Sequence, residues 1–292
     1  MPVIQPPHQP PFQAPQPAPD GSQGPSARPA SPRGKWDDSA AELHSTLRAN
    51  LDGVRSQIAT AAQGEGRPEP TLVAVTKSVT STVAMALHRI GCQDLGENRA
   101  PAFQEKVAAF QAAGLHPTWH FIGHVQRNKA RRILEHADVL HSVDSLRLAE
   151  TVARLLAELG RTVGLFLEVN LTGEEQKHGL TDGQWEDALE ALAKTPEARV
   201  LGLMAMGPLQ ERGGKSTDAV FAEAHALGTQ LEHTHGHLFE GGTCRLSMGM
   251  SGDFASAIRH GSTHVRVGSS LFQSIPSASP SASPSGPAAP SQ

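Results

Sequence analysis

Eight short, largely apolar runs, most of them followed by a segment with helical spacing, constrain this chain more than any other feature. The candidate strands are 71–77 (TLVAVTK), 93–97 (QDLGE), 118–122 (TWHFI), 138–143 (DVLHSV), 163–170 (VGLFLEVN), 200–206 (VLGLMAM), 245–249 (RLSMG) and 264–267 (HVRV). Among the intervening helices, 145–159 is the clearest. Leu148, Val152, Leu155, Leu156 and Leu159 face one way there and Gly160 supplies a stop; 215–233 reads similarly. Ahead of the first strand, Ser39 and Glu42 form a capping-box pattern before the stripe Leu43, Leu47, Leu51, Val54 and Ile58. Strands that alternate with helices run parallel, because each crossover returns the chain to the same end of the sheet. Eight such units in about 210 residues predict a single closed (β/α)8 barrel rather than an open doubly wound sheet. No GxGxxG follows any strand, which weakens the dinucleotide-binding alternative.

The ends are different material. Of 22 prolines, 11 fall within residues 1–32 and 5 within 276–290. Segments of Pro, Ser and Ala with almost no branched apolar residues cannot bury enough surface to offset the entropy of ordering. Residues 1–37 and 274–292 are therefore expected to be disordered tails around a barrel domain at 38–273. A polyproline ligand in the head is a weaker reading than a passive tail. A net charge of −4 without a basic block gives no indication of electrostatic nucleic-acid binding. The start lacks a basic-then-apolar signal and no run has the length of a membrane span, so a cytoplasmic protein is expected. Cys92 and Cys244 show no CxxC or metal spacing and read as reduced thiols; His233, His235 and His237 read as solvated surface rather than a zinc site, and no metal is expected. Arg131 and Arg132 beside Lys129 read as the solvated start of a helix.

Barrels of this kind place their chemistry at the C-terminal ends of the strands. Polar residues and glycines collect there: Lys77; Glu97 and Asn98; His120 to Gly123; Ser142 and Asp144; Asn170; Met206 and Gly207; Ser247 to Ser251; and Gly268 to Ser270. Lys77 ends an apolar strand, so its stem should be buried and its ammonium aimed into the mouth, where desolvation favours attack on carbonyls. A salt-bridge or snorkelling role fits a lone strand-end lysine equally well. The loops after strands seven and eight, with Ser247-Met-Gly249-Met-Ser251 leading into a helix near Ser251, carry hydroxyls and amides suited to a phosphate. Ordinary turn chemistry explains the same residues. Together, the residues imply a carbonyl-bearing phosphorylated ligand.

Eight blocks, in order, carry a family resemblance: LVAVTK (72–77), DLGENR (94–99), WHFIGHVQRNK (119–129), LHSVD (140–144), EVNLTGEEQKHG (168–179), GLMAM (202–206), LSMGMSGD (246–253) and HVRVGSSLF (264–272). In these, the chain resembles the pyridoxal phosphate homeostasis proteins of the YggS/PROSC type across about residues 40–273. The resemblance implies a barrel of the alanine racemase N-terminal-domain type, without that enzyme's second domain. It implies pyridoxal 5'-phosphate bound as a Schiff base on Lys77, with Ser247, Gly249, Gly268 and Ser269 at phosphate-binding positions. Asn98, His120, Asn128 and Arg266 match motif positions near the cofactor, and Lys177 a secondary attachment point. Val79 stands where many relatives have a second lysine, which puts a lysine-to-lysine relay in doubt. His124 and Val125 replace a common Pro and Leu.

Three functions compete: a carrier that buffers pyridoxal 5'-phosphate or delivers it to apo-enzymes, a racemase-like enzyme on the same cofactor, and an aldolase-like barrel with Glu97 near the lysine. Racemases of this fold oppose the lysine with a tyrosine, and this chain has no tyrosine. The carrier reading, for a non-catalytic monomer, is the expectation.

Overall fold

The computed structural model describes residues 35–173, 178–181, 183–208 and 215–275, with backbone alone for 35–39. Most of both expected tails, 1–34 and 276–292, lies outside the described residues. Eight strands form a closed parallel barrel in sequence order: β1 Thr71–Val75, β2 Asp94–Glu97, β3 Thr118–Phe121, β4 Val139–Val143, β5 Val163–Glu168, β6 Ala198–Met204, β7 Arg245–Met250 and β8 His264–Val267. The ring closes through β1 and β8, from Thr71↔His264 to Ala74↔Val267. Helix α1, Lys35–Gly64, precedes the barrel. Helices α2 Ser81–Arg89, α3 Ala100–Ala112, α4 Arg127–Leu134, α5 Leu146–Leu159, α6 Gln184–Ala193, α7 Thr217–His235 and α8 Phe254–Arg259 follow the strands in turn.

The crossover helices form where the sequence carries caps and an apolar face. For α5, the Ser145 hydroxyl accepts from Leu148 N, Gly160 closes the helix in the left-handed region, and Leu148, Val152, Leu155 and Leu156 are buried. The α1 stripe Leu47, Leu51, Val54 and Ile58 is buried against the barrel, so this helix belongs to the domain and not to the tail. The main core lies between helices and strands.

Three expectations shift. α1 starts at Lys35 rather than at the Ser39 capping box, because no Pro or Gly interrupts the chain back to Gly34. α8 starts at Phe254 rather than near Ser251. Asp253 accepts from Met250 N through its side chain and donates its own N–H to Met250 O, holding 250–253 as a turn. Arg131 and Arg132 lie in the last turn of α4, not at its start, where cations suit the helix dipole; Arg131 pairs with Glu158 on α5.

Candidate functional site

A cavity of about 370 Å3 opens at the C-terminal mouth, between the ends of β1, β2, β3, β6, β7 and β8. Lys77, two residues beyond β1, lines it. The side chain is exposed, not stem-buried as the apolar run suggested. Among the described residues its ammonium has no ion-pair partner. Beneath it, Lys106 of α3 donates to Thr76 O at 2.7 Å and to Glu97 Oε2 at 2.5 Å; both side chains are buried. Glu97 is thus spent on a structural ion pair and on Asn98 N (2.9 Å), so it is not a carboxylate available to Lys77. This removes the support for an aldolase-like arrangement.

Asn98 also lines the cavity, and its buried Oδ1 has no partner among the described residues. Gly123 packs so close over it that a Cβ would fall 2.1 Å from Asn98 O, so the loop after β3 requires glycine here. On the other side, Ser251-Gly252 and Gly268-Ser269 form two facing turns on the cavity wall. The Gly268 N–H donates to Ser251 Oγ at 3.2 Å, tying the turns together. Met206 and Met250 add an exposed apolar edge.

Below the cavity, the barrel interior is filled by polar and aromatic rings. His120, His141, Phe166 and His264 belong to β3, β4, β5 and β8 and pack with centroids 4.7 to 6.5 Å apart, the three His264 contacts reaching across the lumen. One hydrogen-bonded chain runs through them. Asp94 Oδ1 meets His120 Nε2 at 3.0 Å, His120 Nδ1 meets His141 Nε2 at 2.9 Å, and His141 Nδ1 meets Ser247 Oγ at 2.8 Å. Arg266 Nη1 then donates to Ser247 Oγ at 2.6 Å and to Ser247 O at 2.7 Å. The ends set the polarity. Guanidinium only donates and carboxylate only accepts, so Arg266 donates to Ser247 at one end and Asp94 accepts from His120 at the other. Burial, with Arg266 and the neighbouring histidines adding to it, pushes the His141 pKa well below the usual imidazole range. Burial likewise depresses His264 to about 3 and Arg266 to about 10, so the arginine stays charged at neutral pH. Glu168, at the end of β5, is pushed up to about 7, first by burial and then by Asp144, with Arg266 and His124 opposing.

The structure gathers Lys77, Asn98, Arg266, Gly268 and Ser269 around the cavity. Ser247 and His120 sit a layer lower: Ser247 is fully buried with its hydroxyl engaged on both sides, and His120 is bonded to Asp94 and His141. Gly249 has φ +93 and meets α8 so closely that a Cβ would lie 2.6 Å from Ala257 Cβ; it serves packing between β7 and α8. Asn128 is exposed on the first turn of α4, outside the cavity wall, and Lys177 lies outside the described residues. The sequence reading missed His141 and Glu168. Their signal was a polar residue inside an otherwise apolar strand, at 141 in VLHSV and 168 in VGLFLE.

A closed (β/α)8 barrel with a lysine sharing its mouth cavity with two serine-glycine turns defines a ligand-binding barrel, and the sequence pattern described as "Alanine racemase, N-terminal domain" matches residues 49–276. The pyridoxal phosphate homeostasis protein of Pseudomonas aeruginosa is 36% identical over 231 residues, covering 78% of this chain and 95% of that protein. Its counterpart in Mycobacterium leprae is 31% identical over 251 residues, covering 79% and 93%. The structure of PipY from Synechococcus elongatus, solved with PLP bound, superposes with a TM-score of 0.67 at 32% identity, covering 77% of this chain and 99% of PipY. The chain belongs to the pyridoxal phosphate homeostasis protein family.

Proposed function

We propose that this chain holds pyridoxal 5'-phosphate at the barrel mouth and keeps it available to apo-enzymes, acting as a monomeric carrier in the cytoplasm rather than turning over a substrate. The observation that carries the reading is Lys77, without an ion-pair partner among the described residues, sharing one cavity with the two serine-glycine turns, in a family whose PipY member was solved with PLP bound. Bound pyridoxal 5'-phosphate brings an aldehyde that condenses with an amine and a phosphate that seeks hydrogen-bond donors. The residues fit such a group. Lys77 is the one amine on the cavity wall, and Asn98 Oδ1 is a buried acceptor awaiting a donor. Gly268-Ser269 and Ser251-Gly252 offer hydroxyls and backbone turns to an anion, with the buried cation Arg266 beside them.

Ser247 and His120 act one step removed: their hydrogen-bonded chain fixes the Arg266 guanidinium on the cavity wall. Gly249 sets the path of β7 toward the Ser251 turn. Asn128 and Lys177 keep their proposed cofactor roles on the resemblance alone. Turnover is not part of the proposal because racemisation needs a second proton donor across the substrate. The chain has no tyrosine, and both cysteines lie on segments leading into β2 and β7, at the opposite end of the barrel, with burial pushing each thiol up to about 12. No helix of the described residues is long and apolar enough to cross a membrane.

The test loads the purified chain with pyridoxal 5'-phosphate, removes excess by gel filtration, and measures transfer to an apo-enzyme alongside racemisation of amino acids. Retained cofactor that reactivates the apo-enzyme, with racemisation at the blank level, is the expected result. Racemisation above the blank would overturn the carrier assignment, and absence of retained cofactor would overturn the site.

A further inference from the structure

Beside the cavity, the loops after β3, β4 and β5 bring together three side chains from separate parts of the sequence. His124 Nδ1 lies 2.8 Å from Asp144 Oδ2, and the His124 and His178 rings are stacked with centroids 4.1 Å apart and planes 18° apart. One ligand atom from each of the three falls within 4.8 Å of the others. Among the described residues no other group of His, Cys, Asp or Glu comes together in this way, the His233, His235 and His237 series included.

The cluster has a fixed side and an open side. The Asp144 carboxylate is nearly buried, and its Oδ1 accepts from Ser145 Oγ at 3.1 Å, which leaves Oδ2 toward His124. The backbone next to His124 is held as well: Ser142 Oγ donates to Gly123 O at 2.5 Å. Both imidazoles are exposed and so are reachable from solvent.

We propose that His124, Asp144 and His178 form a binding site for one divalent transition-metal ion of the zinc class, with its remaining coordination position open to water or a small ligand. Two imidazoles and one carboxylate are the donor set of open zinc sites, which place three protein ligands at about 2.0–2.2 Å and leave a fourth position unfilled. Small side-chain rotations bring three atoms within 4.8 Å of one another onto a common ion. If the ion enters at Nδ1 of His124, it displaces that ring's hydrogen bond to Asp144, and the ring proton moves to Nε2. Glu168 senses both neighbours, since Asp144 raises and His124 lowers its carboxyl pKa, so a second carboxylate lies within electrostatic reach of the ion. The site is separate from the cavity wall that holds Lys77 and does not depend on the cofactor reading.

The experiment titrates Zn2+ into the chelator-stripped full chain against a chromogenic chelator, and records the visible spectrum with Co2+. One equivalent with micromolar or tighter affinity and a tetrahedral cobalt band are expected. His124→Ala and His178→Ala, both at exposed side chains and checked for fold by circular dichroism, should each weaken it by about a hundredfold or more, beyond the ~10–100-fold set by outer partners. A triple variant at His233, His235 and His237 should retain the full equivalent. Binding that survives His124→Ala and His178→Ala, or that vanishes in the triple variant, would overturn the proposal. So would a wild-type chain that binds no ion tighter than millimolar.

Discussion

Replacing Lys106 by Met removes one partner of the buried ion pair under Lys77. The Lys106 ammonium donates to Glu97 Oε2 at 2.5 Å and to Thr76 O at 2.7 Å, and the Glu97 side chain has no exposed surface. Methionine fills nearly the same volume but leaves a charged carboxylate in the interior with Asn98 N as its remaining donor. Breaking such a pair costs about 3–5 kcal/mol, most of it the desolvation of the stranded charge. At about 2–4 °C per kcal/mol for a domain of this size, the melting temperature should fall by roughly 6–20 °C. Calorimetry or urea unfolding measures it. Glu97→Gln in the same chain removes the stranded charge, keeps an acceptor for Asn98 N, and should restore most of the loss. A Lys106→Met loss below about 1 kcal/mol, the range of solvent-screened pairs, would refute the reasoning. So would a double variant no more stable than the single one.

Gly249→Ala should cost about 2 kcal/mol or more, since φ is +93 and the new Cβ would lie 2.6 Å from Ala257 Cβ; an unchanged urea midpoint would show that β7 and α8 move apart freely. Burial raises the folded pKa of Glu168 to about 7 from the ordinary 4.5, so the folded state holds the extra proton between those pH values and loses stability as pH rises through them. Glu168→Gln should therefore stabilise the metal-free chain at pH 8 and leave it nearly unchanged at pH 4, and equal effects at both would contradict the assignment. His141→Phe strands Ser247 and His120 at one hydrogen bond each and should cost about 2–3 kcal/mol while lowering cofactor retention through Arg266; a variant of full stability and retention would separate the chain from the site.

The strands were legible because each is short, apolar and bounded by turn residues; β3 and β8 match their apolar runs to within a residue. Lys77, Asn98, Gly268 and Ser269 were legible for a related reason, since strand ends map onto the barrel mouth whatever the packing inside. Ser247 was not. A register shift separates the Ser247↔His264 and Met250↔Arg266 pairings, and no local pattern says which of Ser247 and Ser251 reaches the cavity and which turns into the lumen. The chain from Asp94 to Arg266 joins β2, β3, β4, β7 and β8, so its members become neighbours only when the barrel closes. His124, Asp144 and His178 lie on three loops, and sequence spacing, which found no metal site, detects clusters on one element only. The start of α8 was misplaced because the Asp253 side chain, not the first apolar residue, decides where the helix begins.

The most direct test of the central claim is the visible absorption spectrum of the chain incubated with pyridoxal 5'-phosphate, before and after borohydride, for wild type and Lys77→Ala. A covalent link from Lys77 Nζ to the aldehyde carbon predicts a visible band in wild type that borohydride removes while fixing the cofactor to the peptide containing Lys77. The variant should lack both the band and the adduct while keeping its fold. A wild-type chain that stays colourless, or an adduct unchanged in Lys77→Ala, would contradict the account.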